Sequence, residues 1–341
     1  MQGELDPTHI VTVGMGFWAS KTLLSAVELG LFTALAEGEK TGPEIATRLG
    51  LHARALYDFL DALLALGFLE RQGDGASARY RNTAQTAHFL DKSSPAYLGG
   101  ILEMASARLY RHWGNLTTAL QTGKPQSEVS SGMPGFFEAV YADPARLEQF
   151  LLAMQGAQFG NFLALLHKVD LSGCKSLADI GGANATLSIL AARKYPELRC
   201  ASFDLPPVLP IARRKVMAAG LGDRIELLAG NFFEHPLPSA DVITMGNVLH
   251  DWDESQKQQL IGKAYAALPK GGRLIAIENV IDDARRSNVF GLLMSLNMLI
   301  ELPGGFDYTG AQFDGWCKSA GFVRTEVVPL AGPSSAAIAY K

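Results

Sequence analysis

At 341 residues, 48% of them hydrophobic and 19% charged, the chain is too long for one ordinary compact domain and has apolar material for two cores. A net charge of −4 argues against a general binder of nucleic acid or anionic membrane. Cys174, Cys200 and Cys317 are far apart, odd in number and in no metal-ligand spacing, which reads as free thiols in a reduced, cytoplasmic protein.

Met1 to His9 is polar and acidic, without the basic start of a signal peptide. The first apolar stretch, Val11 to Phe32, is interrupted by Lys21, Glu28 and several glycines, and so reads as an amphipathic or buried helix, not a membrane span. A helix is expected over Thr12–Ala36. Thr41-Gly-Pro-Glu44 then supplies a helix start, and Ile45–Gly50 a short helix ended by glycine. A third helix, Arg54–Leu66, places Leu56, Phe59, Leu60, Leu63 and Leu64 on one face. Gly67–Glu70 and Ala78–Arg81, around Gly73-Asp-Gly75, predict a hairpin. Three helices and a hairpin make a winged-helix-like layout. Residues 40–81 carry six Lys and Arg against five Asp and Glu, about +1, too little for phosphate binding. Packing or dimerisation is the expected use.

Residues 91–170 look helical, apart from the Gly/Pro/Ser-rich Thr122–Gly135, an ordered loop or a mobile lid. The domains expected are 1–95, a helical linker and lid region at 96–170, and 171–341.

From Ser176, strands alternate with helices. Strands are expected at Leu177–Ile180, Arg199–Phe203, Ile225–Leu228, Asp241–Met245 and Leu274–Glu278, with helices near 184–195, 208–220 and 254–267. Such alternation implies a parallel sheet covered on both faces. Helices near 286–300 and 310–320 follow. Val323–Pro329 and Ser335–Tyr340, joined through Gly332-Pro333, close the sheet with an antiparallel hairpin, which a plain dinucleotide fold lacks.

Three places at the carboxyl ends of strands carry the chemistry. Asp179-Ile-Gly-Gly-Ala-Asn-Ala185 puts glycines where a backbone must approach a ligand. Asp204, 23 residues after Gly181, can hold both hydroxyls of a ribose. Gly230-Asn-Phe-Phe233 offers an amide and rings to an adenine. The G-x-G-x-x-G fingerprint and the P-loop are both absent, which disfavours a nicotinamide dehydrogenase and points to an adenosine without pyrophosphate, S-adenosylmethionine. Val248-Leu-His-Asp-Trp252 ends the fourth strand. His250 there suits proton removal near pH 7, with Glu278 or the adjoining Asp251 as partner acid, although a capping histidine and an exposed strand-end carboxylate remain open readings.

At these residues the sequence resembles the plant-caffeate and hydroxyindole (acetylserotonin) type of O-methyltransferases, including bacterial tailoring enzymes of natural-product pathways. The resemblance spans nearly the whole chain, with Asp204-Leu-Pro-Pro207, Asn247–Trp252, Ala267–Gly272 and Pro303-Gly-Gly305 in order. It implies a Rossmann-like class I methyltransferase sheet behind a mainly helical N-terminal dimerisation domain, a homodimer, and product S-adenosylhomocysteine. The donor set it implies is Asp179, Gly181, Gly182, Asp204, Leu205, Gly230, Asn231, Phe232, Asn247 and Trp252. His250 is then the base, with Glu278 and Asp251 beside it, and Phe150, Met154, Met294, Asn297 and Met298 line the acceptor pocket. No metal is expected, Asp282-Asp283 being read as a solvated turn.

The sequence departs from the family pattern in places. Ala183 and Ala185 replace two glycines, so the turn is expected to differ slightly. Asn231 replaces an adenine-facing acid, and Gly246 a basic residue. A second acid near Pro-Gly-Gly falls on Gly310, for which Asp307 could substitute. The missing acid keeps S- or N-methylation open, and a carbon nucleophile is open too; a donor-binding enzyme that transfers no methyl is a separate alternative, and the winged-helix-like layout keeps a DNA-binding regulator as a third.

Overall fold

The computed structural model describes residues 5–128 and 136–341. The chain divides into two compact units, Met1–Arg111 and His112–Lys341. The stretch 96–170, set apart in the sequence reading, is shared between them.

In the first unit the expected helix over 12–36 is broken twice, giving α1 (Thr8–Gly14), α2 (Gly16–Glu28) and α3 (Leu31–Ala36). Met15 leaves helical geometry and Gly30 turns left-handed at φ 74°. Only the later part is buried, through Leu24, Ala26 and Val27, whereas Ile10, Val13, Phe17 and Trp18 are exposed. Thr8–Glu28 is long and apolar enough to cross a membrane by length and composition alone. The strand β1 (Lys40–Thr41) leads into α4 (Gly42–Leu49). Glu44 reaches back to the Thr41 backbone N–H at 2.7 Å while the Thr41 hydroxyl accepts from Glu44 N, a reciprocal cap. α5 (Ala53–Ala65) buries Leu56, Leu60 and Leu63 against Val27, Phe32, Ile45 and Tyr80. β2 (Leu69–Gln72) and β3 (Arg79–Asn82) form the expected hairpin, and β1 adds a third strand too short to read from sequence, in the order β1-β3-β2. α6 (Ala84–Phe89) and α7 (Gly99–Met104) follow.

The unit boundary falls within α8 (Tyr110–Trp113), and α9 (Leu116–Thr122) comes next. Beyond it, Gln126 N donates to Ile300 O and the Ser127 hydroxyl to Glu301 O, both at 2.8 Å. The stretch expected as loop or lid, 122–135, is thus tied down at its start, while 129–135 lie outside the described residues. α10 (Phe136–Tyr141) precedes the long α11 (Pro144–Lys168), whose first N–H groups are capped by Asp143.

Among the described residues the second unit holds a seven-stranded sheet. In chain order its elements are β4 (Ser176–Ile180), α12 (Thr186–Lys194), β5 (Arg199–Asp204), α13 (Leu209–Ala218), β6 (Ile225–Ala229), β7 (Val242–Gly246), α14 (Glu254–Ala267) and β8 (Arg273–Glu278). α15 (Val289–Glu301), α16 (Gly310–Ala320), β9 (Arg324–Pro329) and β10 (Ser335–Tyr340) complete it. Strand order is β6-β5-β4-β7-β8-β10-β9, parallel as far as β8, with β10 antiparallel to β8 and to β9. Alternate residues feed two cores, as the two-residue period of a strand demands. Ile243, Leu274, Ala276 and Ala337 face α14 and α16, while Val242, Ile275, Ile277 and Ile338 share a core with Leu165 and Leu166 of α11. The chain leaves β4 for β5 on one side and later returns to place β7 on the other. That reversal opens a crevice at the carboxyl ends of β4 and β7.

Candidate active site

The turn after β4 enters this crevice under strict steric limits. A Cβ on Gly182 would lie 2.2 Å from the Ser202 hydroxyl oxygen and 3.0 Å from Asp179 O, so only glycine fits. Ala183 and Ala185 hold φ of 49° and 60°, left-handed values that cost an L-residue about 1–2 kcal/mol each. Asp204 stands beside the turn. Its Oδ2 accepts from Ala183 N at 2.8 Å and its Oδ1 from Leu205 N at 2.7 Å. Burial pushes its pKa up to about 6, against those two hydrogen bonds. The carboxylate is therefore fixed and desolvated, with lone pairs left for a diol. Asp179 turns instead toward β7, accepting from the Thr244 hydroxyl at 2.7 Å, and burial raises it to about 7.

The third strand end is shaped by local contacts. Gly230 is glycine because a Cβ would strike the Phe203 ring at 2.4 Å, which is packing and not ligand clearance. Asn231 spends its side chain locally, accepting from Phe233 N at 2.9 Å and donating to Glu234 at 3.0 Å. The aromatic residues do converge. Phe232 and Phe233 meet Trp252 edge-on at 5.8 and 4.7 Å, and Phe137 stacks on it at 6.3 Å.

His250 lies in a short turn after β7 and is 5% exposed. Asn247, at φ 51°, begins that turn. Glu278 Oε1 accepts the backbone N–H groups of Val248 and His250, both at 3.1 Å, and its charge also acts on the imidazole. It holds the turn, and the ring is flanked by other acids. Asp251 Oδ1 is 3.4 Å from Nε2, and Asp307 Oδ1 is 3.4 Å from Nδ1. Both are ion-pair distances too long for good hydrogen bonds. Asp307 thus stands against Nδ1, whereas Gly310 opens α16 and faces Val327. Phe306 N donates to His250 O at 2.8 Å, and a Cβ on Gly305 would sit 3.0 Å from Asp251 O. Pro303-Gly-Gly305 is therefore the backbone that clasps this turn.

Burial disfavours the charged imidazole, but Asp251, Asp307 and Glu278 outweigh it and raise His250 to about 10. Burial raises Asp251 to about 7, opposed by His250, and raises Glu278 as well. Of nine buried side-chain polar atoms without a hydrogen-bond partner among the described residues, six belong to His250, Trp252, Glu278, Asp307 and Tyr308. Most of these face one another, His250 Nδ1 toward Asp307 and Glu278 toward Tyr308, so the cluster is a set of close, poorly aligned polar contacts around the imidazole.

Sequence reasoning missed Lys257 and Tyr141. Lys257 is fully buried, lies 3.5 Å from the centre of the Phe306 ring and donates to Trp252 O. Burial raises the Tyr141 hydroxyl above the usual phenol range, with Asp204 and Asp251 adding to the shift. Among the residues expected at the acceptor pocket, Phe150 and Met154 sit half-buried on α11, and Phe150 meets Phe137 edge-on at 6.3 Å. Met294 is half-buried and Met298 buried on α15. Asn297 accepts from the Trp113 indole N–H at 2.8 Å and donates to Glu301. Asp282 lies in a solvent-facing turn, where its carboxylate accepts from the N–H groups of Arg286, Ser287 and Asn288. All three cysteines are unpaired, and no group of metal-ligating side chains occurs among the described residues.

A parallel sheet closed by a terminal hairpin, with a fixed acid after β5 and an imidazole after β7 on either side of the β4 turn, defines an S-adenosylmethionine-dependent methyltransferase. Residues 113–323 match the O-methyltransferase domain and residues 13–92 the O-methyltransferase dimerisation domain. The chain belongs to the O-methyltransferase family. It is 39% identical over 98% of its length, and 97% of the relative's, to the tetracenomycin polyketide synthesis 8-O-methyl transferase TcmO of Streptomyces glaucescens. It is 39% identical over 82% of its length, and 79% of the relative's, to the N,N-dimethyltransferase OxyT of Streptomyces rimosus. The crystal structure of human N-acetylserotonin methyltransferase with S-adenosylmethionine superposes with a TM-score of 0.91 at 29% identity, covering 100% of this chain and 99% of that one. S-adenosylmethionine is accordingly the methyl donor of this enzyme.

The site makes stability depend on pH. Asp179, Asp204 and Asp251 bind protons in the folded protein up to about pH 6–7, far above the unfolded value near 4, so their contribution falls as pH rises through that window. His250, raised to about 10, stabilises the fold fully below about pH 6.5 and loses that contribution on the way to 10, the same sign. Lys215 and Lys257, lowered to about 8, oppose this only at higher pH. The unliganded protein should melt at a higher temperature at pH 5.5 than at pH 7.5. A melting temperature that climbs over that interval would refute this electrostatic picture.

Proposed function

We propose that this enzyme methylates a hydroxyl of a polycyclic or bicyclic aromatic small molecule, with His250 as general base. The observation that carries the reading is the buried imidazole between Asp251 and Asp307, beside the glycine turn and Asp204. Similarity to a polyketide 8-O-methyl transferase supports a phenolic acceptor. Gly181, Gly182, Ala183, Asp204 and Leu205 are proposed to hold the donor's ribose and methionine side, with Phe232, Trp252 and Asn247 at its adenine side and Gly230 and Asn231 shaping that wall. Phe150, Met154, Met294 and Met298 form the acceptor's apolar wall, and Asn297 stiffens it through Trp113.

When bound, S-adenosylmethionine supplies an electrophilic methyl on a positively charged sulfur, and that charge opposes the proton on His250. With the donor bound, the acceptor hydroxyl would give its proton to a ring nitrogen of His250 while its oxygen bonds to the methyl carbon, the S–CH3 bond breaking and S-adenosylhomocysteine leaving with the sulfur's electron pair. Asp251 and Asp307 stabilise the imidazolium that results, and Glu278 keeps the turn in register through its two backbone N–H partners. Alignment of the two reactants supplies about 7–11 kcal/mol and the base about 10²–10⁴-fold.

The N,N-dimethyltransferase relative gives a second reading, transfer to an amine nitrogen, which does not require an imidazole base. S- or C-transfer would use the same crevice. The reading also includes a cytoplasmic enzyme of secondary metabolism that binds neither nucleic acid nor membrane. The winged-helix-like first unit serves as a homodimer surface through its exposed Ile10, Val13, Phe17 and Trp18, in keeping with the dimerisation-domain match.

Incubation with methyl-labelled donor and a panel of phenols, amines, thioethers and 2-oxo acids, followed by mass analysis, should place the label on phenolic oxygen. Label confined to nitrogen would replace the first reading with the second, and a product without added methyl would remove both. His250→Ala should keep donor affinity and lower kcat by about two to four decades. Asp307→Asn should lower kcat by about one to two decades and more than Glu278→Gln, since glutamine still accepts both backbone N–H groups; the reverse order would restore Glu278 as the partner acid. In sedimentation velocity, Trp18→Glu should weaken self-association about thirtyfold or more, the scale of an aromatic hot spot. Unchanged association would move the dimer contact elsewhere.

A further inference from the structure

Four side chains outside the proposed chemistry make a closed ring of hydrogen bonds behind the glycine turn. Asn184, between the two left-handed alanines, is 3% exposed and donates through Nδ2 to Gln155 Oε1 at 2.8 Å and more weakly to Leu151 O at 3.4 Å. Its Oδ1 accepts from the Thr186 hydroxyl at 2.6 Å. Lys215, on α13, donates to that hydroxyl oxygen at 2.9 Å and also to Gln155 Oε1. The ring therefore runs Lys215, Gln155, Asn184, Thr186 and back to Lys215, tying α11 and α13 to the turn.

Two further observations set this ring apart from ordinary packing. Its ammonium is half-buried among neutral partners, and burial lowers it to about 8 with no ion pair to a carboxylate among the described residues. A desolvated charge spent on an amide and a hydroxyl makes strong hydrogen bonds and little net stability. The turn itself holds Ala183 and Ala185 where glycine would sit without strain, and it presents Ala183 N to Asp204.

We propose that Gln155, Asn184, Thr186 and Lys215 are positioning residues that hold the alanine-bearing turn in its donor-binding shape, a task that a glycine-only turn would not need. Without the ring the turn relaxes toward conformations that alanine prefers, and Ala183 N and Asp204 lose register. The proposal rests on the donor-site reading above, since the turn must face the donor for its shape to matter.

S-adenosylhomocysteine binding to the full-length protein, measured by calorimetry, tests this directly. Gln155→Leu and Lys215→Met should each weaken affinity about ten- to hundredfold, the scale of a lost charge-assisted hydrogen bond, while kcat at saturating donor stays within about twofold. Gln155→Glu, which keeps an acceptor facing both Lys215 and Asn184, should stay within about threefold of wild type. In an Ala183→Gly, Ala185→Gly background the penalty of Gln155→Leu should shrink to about threefold or less. A penalty of equal size there, or a rise in KM for acceptor instead of donor, would overturn the ring's role. Variants that bind as tightly as wild type overturn the ring alone, whereas a wild-type protein that binds no S-adenosylhomocysteine overturns the donor-site reading as well. Lys215 is only half-buried, so Lys215→Met keeps the test open even if Gln155→Leu misfolds.

Discussion

Three carboxyl groups surround one imidazole, those of Glu278 and Asp307 buried and that of Asp251 half-buried. Carboxylates cannot all ionise in a low-dielectric pocket without a cation among them. His250 is the group placed to provide it: the acids raise its proton affinity, and its charge in turn lowers the affinities that burial raises at Asp251 and Glu278. Much of the surrounding architecture serves to keep these groups close. Glu278 grips the turn from β8, Phe306 grips it from the opposite side through the His250 carbonyl, and Gly305 leaves room for that approach. Lys257 closes the far end by holding Trp252 O from the second turn of α14. The fold supplies the convergence: β7 and β8 are parallel neighbours, so their carboxyl ends deliver His250 and Glu278 to one place.

The same cluster explains why an imidazole protonated in the unliganded protein can still serve as a base in the proposed reaction. The charge balance of the pocket would change with a permanently positive donor bound in the proposed site. Carboxylates that held the proton in its absence then have a second positive group to neutralise. A site tuned for a lone neutral histidine would be driven too acidic by that arrival. The excess of acids in the empty pocket suits the occupied one.

How much of this was legible in the sequence depended on the range of the interactions involved. The second unit's strands and helices were readable because each strand carries its own alternating or continuous apolar run, and the positions of Asp204 and His250 follow from strand ends. Helix breaks at Met15 and Gly30 were not readable, because one residue in a left-handed or bent conformation leaves the apolar periodicity almost intact. β1 escaped notice because two residues make no pattern. The roles of side chains were harder still. Glu278 reads as a partner for His250 because both end neighbouring strands, yet its oxygen meets backbone N–H groups that no spacing reveals. Asp307 was recoverable only as the remaining acid near Pro303-Gly-Gly305, since its approach to Nδ1 depends on a loop closing across the crevice. Asn184, Gln155 and Lys215 lie on three separate elements and carry no motif of their own.

The two alanines in the glycine turn show how a departure in one element is absorbed by others. A left-handed alanine is penalised wherever it occurs, but the penalty matters only if the turn is free to escape it. Here one side of the turn is pinned by Ala183 N on Asp204 and the other by Asn184 on α11. Ala185 also buries its methyl completely in the core that Leu165 and Leu166 share with the sheet, so its Cβ returns part of the conformational cost as packing. Ala183 contributes less, being only partly buried against Leu147, Leu151 and Val208. The strain therefore falls mainly at Ala183, the residue whose N–H fixes Asp204, and the precision of that carboxylate depends on contacts made from outside the turn.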